Sequence, residues 1–151
     1  MKLTSRQAHA LNDLLQRNYD AVKGYGEAAT ATDQATLKKW LQDNINFRKK
    51  FIQDLENALA VGGAEIEANG SVLGTLHRVW LDLRTDQVDN TDEVVLEECR
   101  RGEKYALEDY NKVLEEVDFH PDTRAMIKGQ RKQIQQSLNS IEIMIPIIDN
   151  A

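Results

Sequence analysis

Residues 4–29 read TSRQAHALNDLLQRNYDAVKGYGEAA, and the reading of this stretch decides the fold. Thr4-x-x-Gln7 is a capping box, in which each side chain satisfies the other residue's free backbone N–H at a helix start. Behind it, Ala8, Leu11, Leu15, Val22, Tyr25 and Ala29 recur at spacings built from 3 and 4, so one apolar stripe runs along the whole segment. With polar residues on the remaining faces, such a stripe is the seam of a helix bundle.

The same pattern recurs along the chain. A second helix is predicted from Thr32 or Asp33, carrying Leu37, Leu41, Phe51, Leu55 and Ala58 to Gly62-Gly63, a pair suited to the left-handed turn that ends helices. Ala64 to Gly70 reads as loop, and Ser71 to Leu83 forms a short third helix of about three and a half turns. A fourth begins near Asn90 or Thr91, with Asp92 and Glu93 complementing the dipole of its first turn and Val95, Cys99, Ala106, Tyr110, Val113 and Val117 along its seam. His120-Pro121 breaks it. Pro121 then opens a fifth helix, with Ile127, Ile134, Leu138, Ile141 and Ile145 inward and its end at Pro146. Two long helices, a short one and two more long ones imply an all-α four-helix bundle with a crossover helix between the second and fourth.

Composition narrows the function classes. The 151 residues suit one domain, 1–151, with a core large enough to need no disulfide or structural metal. A net charge of −6 without a segregated basic patch argues against nucleic acid, whose phosphates it would repel. Nine acidic residues against Arg78 and Arg84 between Ala64 and Glu98 make an acidic middle, read as a solvated face. Cys99 is alone, which excludes an intrachain disulfide and suits a reduced cytoplasm, and as a seam residue it reads as a small core hydrophobe. Met1-Lys2-Leu3 leads into polar sequence rather than a signal-peptide core, and no stretch reaches the ~20 apolar residues of a membrane span.

Ferritin-type di-metal sites need a Glu from each of two helices and Glu-x-x-His from each of the other two. The fifth helix has no Asp, Glu or His between Asp122 and Glu142, so no metal or other cofactor is expected. Asn18, Asn44, Arg48 and Gln130 nevertheless fall at core spacing, and a buried Arg48 needs a carboxylate partner, for which Glu98 beside the fourth seam is the candidate. The alternative is that Arg48 snorkels outward. His77, in Gly74-Thr-Leu-His77-Arg78-Val-Trp80, reads as a packed or surface histidine, with a ligand or proton-transfer role as the alternative. Helical glycines at 24, 26, 74, 102 and 129 suggest close approach of neighbours, with a ligand crevice beside Gly102 as a second reading.

Four stretches carry a family resemblance: Gly-Tyr25-Gly-x-Ala-Ala, Arg48-x-x-Phe51 with Leu55, Gly-Ser71-x-x-Gly-x-Leu-His77-Arg78-x-Trp80, and Glu98-Cys-x-Arg-Gly-Glu103. Together they resemble a bacterial ferritin-like bundle family described only as a domain of unknown function. The resemblance implies that fold, a bacterial cytoplasmic protein and no assigned activity, and it makes Arg48, His77, Trp80, Glu98 and Glu103 the candidate binding or polar-core residues. The leading reading is a non-catalytic bundle acting through contacts with a protein partner not identified by sequence, in a stress-related setting that family context suggests. Rival readings are a ferritin-type metal-binding or redox protein and a small-ligand binder near His77 and Glu98. From Ile141 to Ile148, apolar residues at 141, 143, 144, 145, 147 and 148 are too many for one buried stripe, which predicts a homodimer through the end of the fifth helix. In the alternative, Pro146 turns the tail back so that Ile147 and Ile148 cap the bundle.

Overall fold

A computed structural model describes residues 2–68, 80, 83 and 91–149. Four helices and, among the described residues, no strands make it up: α1 (Ser5–Ala31), α2 (Ala35–Val61), α3 (Asp92–Glu116) and α4 (Pro121–Asp149). The third helix expected from sequence lies outside the described residues, apart from Trp80 and Leu83.

Local chemistry sets the helix ends. The Thr4 hydroxyl accepts from the Gln7 backbone N–H at 3.1 Å while the Gln7 side chain accepts from the Thr4 N–H at 2.9 Å. α2 starts two to three residues later than sequence suggested. Gln34 is its cap, accepting from the Leu37 N–H, while the Thr32 hydroxyl, two residues earlier, accepts from the Gln34 N–H at 3.2 Å and donates to Asp92 at 2.6 Å, tying the α1–α2 turn to the start of α3. At the other end the Gly62 N–H donates to Ala58 and Gly63 takes a φ of +71°, the left-handed turn expected there. Thr91 caps α3. α4 does not stop at Pro146 but continues through it to Asp149. The proline's fixed φ is helical, and the N–H it lacks is missing only from the last turn. The tail therefore does not fold back: Ile148 is half-buried against the core while Ile147 stays 65 % exposed.

α1 packs chiefly on α2 and α3 on α4, and looser α1–α3 and α2–α4 contacts close the bundle. Its interior divides into two apolar halves. One gathers Ala21, Tyr25, Leu41, Ile45, Cys99 and Ile141 with Trp80 and Leu83. The other gathers Leu11, Leu14, Leu15, Phe51, Leu55, Ala106 and Ile134. On α1, α2 and α3 the residues between the halves are buried and polar: Asn18, Arg48 and Glu103.

Trp80 explains two of the helical glycines. Its indole lies against the α-carbons of Gly24 on α1 and Gly102 on α3, so a Cβ at either position would come within 2.3–2.4 Å of a ring atom. The indole occupies the space beside the Gly102 α-carbon. Gly26 and Gly129, by contrast, have open space where a Cβ would stand, so they do not mark close approaches, and Gly74 lies outside the described residues. Alanine exceeds glycine in helix propensity by about 0.8–1 kcal/mol. Gly129→Ala is therefore expected to raise the free energy of urea unfolding by roughly that much, while Gly102→Ala, overpacked against the indole, should cost about 1–3 kcal/mol. Equal shifts of the two free energies would show that Trp80 does not sit between the helices.

Candidate functional site

The polar layer is built around Arg48, which is 1 % exposed although it carries the largest fully buried side chain among the described residues. A guanidinium does not deprotonate in a protein, so its N–H groups must find acceptors or the helix cannot bury it. Nη2 donates to Glu103 Oε1 on α3, and Nη1 donates to Asn18 Oδ1 on α1 at 2.8 Å. The Asn18 amide donates to the Leu14 carbonyl and, at 2.9 Å, to the Tyr110 hydroxyl. Tyr110 in turn donates to Gln130 Oε1 on α4 at 2.6 Å. One chain of bonds, Glu103–Arg48–Asn18–Tyr110–Gln130, thus crosses all four helices. Beside it Ser137 donates to Asn44 Oδ1 at 2.6 Å, joining α4 to α2. Phe51 adds its ring face, 5.9 Å from the guanidinium carbon.

Arg48 is buried as sequence spacing suggested, but its carboxylate partner is Glu103 rather than Glu98. Glu103 stands four residues after Cys99 on the α3 seam, whereas Glu98 is turned about 100° from Cys99 toward the flank. There Glu98 receives Arg101 at 2.5 Å, one turn along its own helix. Trp80 packs on Tyr25, with ring centres 4.9 Å apart, and so borders the same region. His77 lies outside the described residues. By spacing alone, Tyr25 and Tyr110 read as apolar seam residues. The signal overlooked is that a tyrosine buried at a seam brings a hydroxyl that needs a partner.

Burial dominates the electrostatics. It pushes the Glu103 carboxyl above its ordinary 4.5, against the opposing pull of Arg48 and of the Tyr25 phenol. It likewise raises Tyr110 to about 12, and Tyr25 and Cys99 well above their usual ranges. Tyr25 lies beside Glu103 and its phenol favours the ionised carboxylate, while Tyr25 Oη and Glu103 Oε2 are both buried with no formed hydrogen bond among the described residues. Gln130 Nε2 is also enclosed without a partner among the described residues. Among the described residues no three His, Cys, Asp or Glu side chains converge on a metal-sized point. Within the layer, among the described residues, the Arg48 guanidinium alone bonds the Glu103 carboxylate, and Asn18, Tyr110 and Gln130 extend the bonding from its other side.

A folded-state pKa above the unfolded one means that the folded chain holds the proton more tightly, so this contribution is complete below about 4.5 and is lost as pH rises through the folded value. The stability difference of wild type over Glu103→Gln is accordingly expected to shrink as pH is raised from about 4.5 to 7, measured by urea unfolding. A difference that instead grows with pH would mean that Arg48 outweighs burial and holds the carboxyl below its ordinary value.

Comparison with curated proteins returns no match. Residues 6–116 match a family described as a domain of unknown function (DUF2383), a span that includes Asn18, Arg48, Glu103 and Tyr110 but ends before α4. With most of its length covered by that match, the chain belongs to the DUF2383 family.

Proposed function

We propose that the protein is a non-catalytic, ferritin-like bundle of the bacterial cytoplasm, one domain over residues 1–151, that works through protein contacts in a stress-related setting. The observation that carries it is Arg48, a permanent cation at mid-bundle bonded to Asn18 and Glu103. Ferritin-type bundles hold their metals between facing helices, and a buried guanidinium repels any cation entering that layer. Nearly complete burial of Arg48, Asn18 and Glu103 also keeps substrate from the ionisable groups. The function then falls to the surface. Ile143 and Ile147, 66 % and 65 % exposed on α4, support a homodimer through the end of that helix. Among the described residues no helix is long and apolar enough to cross a membrane.

A second reading has one observation in its favour: Glu98, with Arg100, Arg101 and Lys104, lines an open cleft of about 520 Å³. A small ligand bound beside Glu98 and His77 is therefore the alternative to a protein partner. Native mass spectrometry and elemental analysis of protein purified from its own host, and after iron-supplemented expression, separate the readings. The expected result is the bare polypeptide mass with far less than one metal per chain. About two irons per chain would restore the ferritin-type reading, and a constant extra mass lost on Glu98→Ala would establish the ligand.

A further inference from the structure

Resting on the homodimer reading above, we infer that the surface receiving the second copy is the whole face formed by α2 and α4, rather than the tip of α4 alone. α2 and α4 make the sparsest of the four helix contacts, held across the seam by the Ser137–Asn44 bond. Phe47, 40 % exposed, is three residues after Asn44 and turned about 60° outward from it, so its ring overhangs that seam. On α4, Met144, Ser140, Ile147 and Gln136 lie progressively further outward on the α2 side of the Ser137 line, and Ile143 continues the strip.

Charge selects the occupant. Between Gln133 and Ile148 the one charged residue is Glu142, and it turns the other way, to Arg100 on α3. α2 carries charges at this edge, but as i,i+4 pairs that cancel: Lys39 with Asp43 and Lys50 with Asp54. Alongside residues 133–148 the face is thus neutral on a chain of net charge −6, and exposed Lys132, one turn before Gln136, marks its edge. Two copies of an acidic protein repel least where each presents no net charge, and depletion of charge around exposed apolar side chains is the composition of an interface core. A basic or acidic partner would find no counter-charge here, and an anionic membrane would find no free cation among residues 133–148 of α4. A two-fold contact laying each α4 along its mate's α2–α4 seam satisfies this surface with itself.

Light scattering and sedimentation at ~100 μM, a concentration at which even a micromolar dimer forms, should report twice the chain's 17.2 kDa. Phe47→Glu on α2 and Gln136→Glu on α4 should each raise the dimer dissociation constant at least tenfold, as Ile143→Glu does, while Tyr105→Glu on α3 leaves it unchanged. Thermal unfolding verifies that each variant is folded. Should Phe47→Glu fail that check, exposed Gln136→Glu decides. If Ile143→Glu alone dissociates the dimer, the extended face is overturned and the α4-tip contact stands. A wild-type chain that stays monomeric overturns both, and equal sensitivity to Tyr105→Glu overturns the assignment to this face.

Discussion

The bonding of Arg48 to Glu103 is the constraint around which the rest of this bundle is arranged. A guanidinium that is 1 % exposed brings a desolvation cost of several kcal/mol, and only a carboxylate and correctly placed acceptors offset it. Satisfying it fixes how far α2 is slid along α3, because a shift of even one residue, ~1.5 Å, would break the contact. Asn18 extends the requirement to α1, and Tyr110 with Gln130 extends it to α4. The apolar seams above and below could tolerate several staggers. The polar layer between them tolerates one, and it thereby specifies the fold more than it stabilises it.

Around that layer the two half-cores solve different problems. The half that holds Phe51, Leu55 and Leu59 is side-chain packing of ordinary kind, closed by Asn12, which bonds Glu65, Glu67 and Ala68 beyond α2. The other half is built around Trp80. Trp80 is inserted against α1 and α3 where Gly24 and Gly102 leave the backbone bare, and it packs on Tyr25, which lies beside Glu103. Chain between α2 and α3 therefore contributes to the enclosure of the carboxylate, although the carboxylate itself belongs to α3. That enclosure keeps water off Glu103 and raises its pKa.

Much of this was legible in sequence where the information is local. Capping at Thr4 and Thr91, the Gly62-Gly63 stop and the seams of all four helices follow from side chains within a few residues of one another, and Arg48, Asn18, Asn44 and Gln130 show their burial by spacing alone. What depends on the relation between helices was not legible. Choosing Glu98 over Glu103 misplaces the partner by five residues, about 7.5 Å along the axis, because periodicity within one helix says nothing about its stagger against another. Gly26 and Gly129 resemble Gly24 and Gly102 in sequence and differ only in whether Trp80 arrives. Pro146 was read as a stop, yet near a helix end its missing N–H is a minor loss.

A double-mutant cycle on Arg48→Met and Glu103→Leu, followed by urea unfolding at pH 8, tests the central claim most directly. Each single variant strands a charge and should lose about 3 kcal/mol, whereas the double variant, with no charge left to satisfy, should recover most of that loss. Strictly additive losses, with a coupling under about 0.5 kcal/mol, would contradict the account and show that the two residues do not depend on each other for burial.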